Sequence, residues 1–277
     1  MQKMLVGVLL LLICPAIITA SAAEDDAIAS SKIGEVATFD DVLIECFVAI
    51  TTDDCNAASE NTVVLNWWAY SDETNSNWPD DDAKARAGEL FVNLTSDDSQ
   101  MIINEEITTQ QANDNRNEIQ ELLPVVSLVG ELNVYQELGG HRIDIPIEMT
   151  PLVNLSDSTI MYIYLSKEYS IDDHNRRLTN LVYEMKPEFG FSNQANNSTQ
   201  TTWSLSESHL TAAGVDFADS PYGWSVTFAL FGELEGSDTN QLLYLNHVEL
   251  ATQSENVELN EFLMPVFAIV FGVIVIQ

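Results

Sequence analysis

The sequence predicts an α/β unit followed by an all-β unit, with an apolar segment at each end of the chain. Three observations carry this. Between residues 41 and 124, apolar strands alternate with short helical patterns, as βαβ units on one sheet do. From Ser127 onward, short runs with one-faced alternation succeed one another between turn signals. Residues 1–22 and 262–277 are apolar, which leaves roughly 235 residues between them, enough for two ordinary domains. The expected division is a signal peptide over 1–22, a polar leader over 23–40, the α/β domain over 41–124, the all-β domain over 125–252, an acidic linker over 253–261 and a membrane anchor over 262–277.

The ends decide the compartment. Lys3, the apolar run 4–13 and Ala20-Ser21-Ala22 form the charged, apolar and cleavage regions of an export signal. Cys14 follows Leu12-Ile13 rather than a small residue, which argues against a lipid anchor there. The run FLMPVFAIVFGVIVI carries no charge, but as a helix it rises only about 22 Å against a hydrocarbon core of about 30 Å. It is therefore expected to be an anchor that is short or cut before its basic flank, holding the body outside the cell. With 10 Lys plus Arg against 43 Asp plus Glu, the net charge of -33 repels nucleic acid and anionic lipid head groups. The 46% apolar content argues for a folded chain in spite of that charge, as in halophilic or marine surface proteins. Sequons at Asn93, Asn154, Asn196 and Asn197 are compatible with a glycosylated exterior.

In the α/β unit, residues 42–50 are apolar at both parities except at Glu45, which predicts a central strand. Thr51-Thr52-Asp53-Asp54 offers helix caps before Cys55, and 62–70 gives the next strand. Asn77 as cap, Pro79 in the first turn and the Asp80-Asp81-Asp82 triplet mark a helix with the apolar stripe Ala83, Ala87, Leu90 and Phe91. The triplet is expected to be solvated. A strand over 100–107 and a helix over 108–123, opened by the Thr108–Gln111 capping pattern and closed by Pro124, complete the order.

This βαβαβα order resembles thioredoxin-like domains, and LIECFVAITTDDCNAASE resembles the strand–turn–helix of a microbial surface-protein family that reads Leu-x-Glu-x-Phe-Thr-Gly before Cys-x-x-Cys. In that family a β-sandwich follows. The resemblance covers about 80 residues and implies a redox pair, from which this chain departs. Cys55 matches the second cysteine, Thr52 stands in place of the first, and 96–100 lacks the proline that should lie against the pair. Thiol–disulfide exchange needs an attacking thiolate and a resolving thiol, and Thr52 cannot resolve a mixed disulfide. The site is thus expected to be inactive as a dithiol. Cys46 and Cys55 either bridge one another or remain a buried residue and a lone thiol.

In the all-β unit, strands are expected over 128–135, 142–149, 159–169, 178–185, 201–205, 224–231 and 242–250. Seven short strands point to a β-sandwich of immunoglobulin or fibronectin type III kind. The histidines His141, His174, His209 and His247 show no metal-ligand spacing, and no phosphate loop or nucleophile elbow occurs. No metal, cofactor or catalytic set is expected. The sequence reads as a membrane-tethered surface protein that binds a protein or surface-polymer partner or serves cell-surface structure. Two other readings stand beside it: an envelope thiol–disulfide or oxidative-folding protein using one cysteine, and a calcium-stabilised adhesion module.

Overall fold

In a computed structural model, residues 27–34, 42–49, 62–69, 80–94, 98–107, 125–171, 177–217, 222–236 and 239–250 are described. The expected signal 1–22, linker 253–261 and anchor 262–277 lie outside them, as do the helices expected after Cys55 and over 108–123. No helix among the described residues is long and apolar enough to cross a membrane.

The described residues are β-rich and form two sheets. The smaller contains β1 (Ala29–Ile33), β6 (Val126–Gln136), β7 (His141–Pro151) and β10 (Thr199–Leu205), in the order β1-β6-β7-β10. The larger contains β2 (Val42–Val48), β3 (Thr62–Trp68), β4 (Gln100–Ile103), β5 (Glu106–Ile107), β8 (Ile160–Ile171), β9 (Arg177–Glu188), β11 (Trp224–Gly232) and β12 (Gln241–Glu249). Its order is β12-β11-β8-β9-β3-β2-β4-β5. Two helices, α1 (Asp81–Glu89) and α2 (Glu207–Ala212), complete the described elements.

Several expectations change. The leader 23–40 contains a strand, because the backbone of ASSKI pairs antiparallel with β6 from Ala29↔Val134 to Ile33↔Gly130. Its polar middle stays accessible while Ala29 and Ile33 are buried. The boundary at 124/125 also does not separate two sheets. β3 runs parallel to β9 at Asn66↔Leu181, and the buried Asn66 amide donates to the Thr179 carbonyl. The expected strand over 100–107 is a hairpin, β4–β5, turning at Asn104 and Glu105 with φ of 49° and 67°.

The alternation of the strands sorts apolar side chains to two faces of the larger sheet. Ile163 and Leu165 of β8 and Val226 and Phe228 of β11 face the smaller sheet, where they meet Leu132, Ile145 and Trp203. On the opposite face, Phe47, Trp67, Tyr164, Val182 and Phe231 pack with Ala83 and Ala87 of α1. Residues before and after 124 thus share one core. The larger sheet also curls: Asn240, just before β12, donates to the Glu105 carboxylate in the turn beside β5 at the other end of the strand order.

The start of α1 is fixed by Asp80, whose carboxylate caps it by accepting from the Ala83 N–H at 2.7 Å, so the cap is Asp80 rather than Asn77. Asp82 accepts from the Met185 N–H at 2.6 Å and pins the helix to β9. Two members of the triplet expected to be solvated are therefore bonded. The helix ends in a Schellman pattern, Val92 N–H to Ala87 O at 2.8 Å and Phe91 N–H to Gly88 O at 3.3 Å.

A buried ion pair and the cleft above it

Strand β2 is apolar but for Glu45, and α1 presents Arg86 on the same stripe as Ala83 and Ala87. The fold brings these two charges together between sheet and helix, where both are buried. Arg86 Nε reaches Glu45 Oε1 at 2.9 Å and Nη2 reaches Oε2 at 2.7 Å, a two-pronged pair. The Trp67 indole N–H donates to Glu45 Oε1 at 3.2 Å. Arg86 Nη1 lies 2.9 Å from Glu105 Oε1 and 3.3 Å from Glu89 Oε2. The guanidinium carbon stands 4.2 Å from the Tyr162 ring centre and 5.5 Å from that of Phe231. Burial opposes the guanidinium charge, yet Glu45, Tyr164 and Glu105 together outweigh it and hold the Arg86 pKa above its usual value.

Above this pair opens a cleft of about 550 Å³. The end of α1 and the β4–β5 turn form one wall, through Glu89, Phe91, Asn104 and Glu105. Ser158, Glu233 and Asn240 form the other, and Arg86, Tyr162 and Phe231 lie between them. Burial raises the Glu105 pKa, and Arg86 only partly offsets this. Burial likewise raises the pKa of Tyr162, whose hydroxyl donates to Glu89 Oε2 at 3.1 Å. Phe91 stands on the rim with φ of 56° and its side chain 88% exposed.

At the other end of α1, Asp80, Asp82, Glu184 and His209 line a second cavity of about 380 Å³. Burial, then repulsion from Asp82, Asp81 and Asp80, pushes the Glu184 carboxyl up to about 8. Burial raises Asp80 to about 6 against the Ala83 N–H that lowers it. His209 Nε2 sits 3.0 Å from Glu184 Oε1. Glu184 and Asp80 can therefore hold a proton near neutral pH. Among the described residues, no three His, Cys, Asp or Glu are arranged to hold a metal ion.

Cys46 is disulfide-bonded and wholly buried on β2. Thr52 and Cys55 lie outside the described residues. At the end of β2, the Ser99 hydroxyl accepts from the Ala49 N–H at 2.9 Å, close to where the resemblance expects a proline. Asn93, Asn154, Asn196 and Asn197 are all exposed. Three histidines are placed, each in its own surroundings. His141 meets Phe217 edge-on, His209 meets Glu184, and His247 Nδ1 pairs with Thr227 Oγ1 at 2.8 Å. His174 lies outside the described residues.

Sequence reasoning missed Glu45 and Arg86 as a pair. The signal was present: one carboxylate interrupting an apolar strand, and one of only ten basic residues set on the apolar stripe of a helix. What sequence could not supply was that the two, 41 positions apart, face each other.

No family model matches this chain, and no curated protein matches it. Among solved structures, a GH3 beta-glucosidase from Bifidobacterium adolescentis aligns over 46% of this chain and 17% of its own length, at 13% identity and a TM-score of 0.23. The chain thus spans under a fifth of that enzyme, and a likeness of this size carries no argument about fold or activity.

Proposed function

We propose that this is an exported protein, held at the outer face of the cell membrane by its C-terminal apolar segment, whose β-rich body serves binding or cell-surface architecture rather than thiol chemistry. The observation that carries the reading is the disulfide at Cys46. Structural disulfides belong to oxidising compartments, and a wholly buried bridged sulfur is a poor redox catalyst. The bridge to Cys55 forms part of this proposal. The parallel pairing of β2 with β3 requires a crossover, which supports a thioredoxin-like scaffold at the N-terminal end. The two facing sheets support a sandwich of immunoglobulin or fibronectin type III kind, here fused to that scaffold through β9. Four exposed sequons and a net charge of -33 suit a surface in contact with salty surroundings.

The test is alkylation of acid-quenched cells without reductant, followed by peptide mass spectrometry and membrane fractionation. The expected result is Cys46 joined to Cys55, with the intact chain in the membrane fraction and its body open to external protease. Free, alkylated Cys46 and Cys55, or a chain protected inside the cell, would remove the reading.

A further inference from the structure

The cleft above Arg86 holds an imbalance of charge that its own residues do not resolve. One guanidinium faces Glu45, Glu89, Glu105 and Glu233, and its donors are already directed at the first three. Among the described residues, an incoming anion would therefore meet carboxylates and no free cation, so the lining disfavours phosphates, sulfates and carboxylates as ligands.

The walls are also wrong for a bare metal ion. Among the described residues there is no metal-holding group, and a cleft of about 550 Å³ is the size of a small-molecule site rather than a single-ion cage. Aromatic rings favour weakly hydrated organic cations, and here Tyr162 and Phe231 already receive one guanidinium. Phe91 adds an independent mark. The residue after a helix end of this kind is usually glycine, because φ is positive there. Here a phenylalanine takes that conformation and leaves an apolar ring in water at the rim of the cleft.

We infer that the cleft binds an organic cation, an alkylammonium or guanidinium group, with Glu89, Glu105 and Glu233 as its counter-charges and Phe91 closing over it from the rim. The inference rests on the binding half of the proposed function and names the chemistry of what is bound. The cation comes either as a free small molecule or as the Lys or Arg side chain of a protein partner. Because the two walls belong to opposite ends of the curled sheet, joined by Asn240 and Glu105, an occupant would tie them together.

The test is calorimetric titration of the full chain at constant ionic strength with two probes: agmatine, and acetyl-Gly-Arg-Gly-amide. The expected result is saturable one-to-one binding of at least one probe, weakened about tenfold or more by Glu89→Gln and by Phe91→Ala. Binding should be unchanged by Glu131→Gln, which removes a charge from β6 of the other sheet. Tighter binding of agmatine than of the blocked peptide assigns a free ligand, and the reverse assigns a partner's side chain. Absence of saturable binding for both probes, or equal weakening by Glu131→Gln, would overturn the inference. A thermal melt of each variant shows that it is folded, so loss of binding is not loss of structure. Failure here leaves the export reading standing, since disulfide mapping and fractionation test that separately.

Discussion

Replacing Arg86 with methionine is the most informative single perturbation of this fold. The substitution keeps most of the apolar volume but strips Glu45 of its counter-charge while leaving that carboxylate sealed between β2, β3 and α1. It also removes the charge opposite Glu105 and the stacking over Tyr162. Breaking a buried pair by deleting one partner costs about 3–5 kcal/mol, because an uncompensated charge remains inside. For a chain of this size, with about 2–4 °C of Tm per kcal/mol, the drop is on the order of 10 °C. The companion is the double variant Glu45→Leu with Arg86→Met, which removes both charges. It loses the acceptor of the Trp67 indole but should still recover about 1–3 kcal/mol relative to the sum of the single variants. Urea denaturation followed by tryptophan fluorescence is suited to this, since Trp67 touches the pair. A single variant within about 1 kcal/mol of the parent, or strict additivity in the cycle, would show that the pair is not buried as described.

The other predictions use the same kind of reasoning. Glu184, with its carboxyl raised to about 8 from 4.5, binds its proton more tightly in the folded chain, so its contribution to stability is fully present below about 4.5 and is lost as pH rises through 8. The parent-minus-Glu184→Gln difference in urea midpoint should therefore fall between pH 5 and 9, and a rising difference would refute it; Asp80, Asp81, Asp82 and the His209 ring are the groups facing it. Phe91→Gly should stabilise the chain by about 1 kcal/mol by relieving the left-handed backbone, and a lower Tm would show that the exposed ring contributes packing. Gly130→Ala should destabilise by about 2 kcal/mol or more, because its Cβ would stand 2.3 Å from the Pro146 carbonyl oxygen across β6–β7, and an unchanged denaturation curve would contradict that approach.

Much of the strand content was legible because apolar alternation is a local signal. β2 read as a central strand from its two apolar faces and lies between β3 and β4. The all-β runs matched β6 to β12 for the same reason. β1 was not legible, since Lys32 and two serines hide a strand whose role is to add one edge to β6. Nor was the shared sheet: two apolar faces say that a strand has neighbours, not that one of them will be β9, more than 110 positions away at Asn66↔Leu181. The hairpin turn at Asn104-Glu105 escaped because glutamate is an unusual choice at positive φ, and its reason, the reach to Arg86, is tertiary.

The pairing of β3 with β9 also sets an order of events during synthesis. A chain growing from its N-terminus makes β2 and β3 long before the strand that covers the free edge of β3, and β1 waits in the same way for β6. Until residue 181 emerges, Leu65, Trp67 and Trp68 lie in a half-built layer with an unpaired edge, a surface that invites wrong partners. A nascent chain arrested before Arg177 should accordingly be cut by protease within its first hundred residues and held by a chaperone, whereas one arrested after Glu249 should resist. The first half of the chain therefore cannot settle into its final layer until the second half arrives.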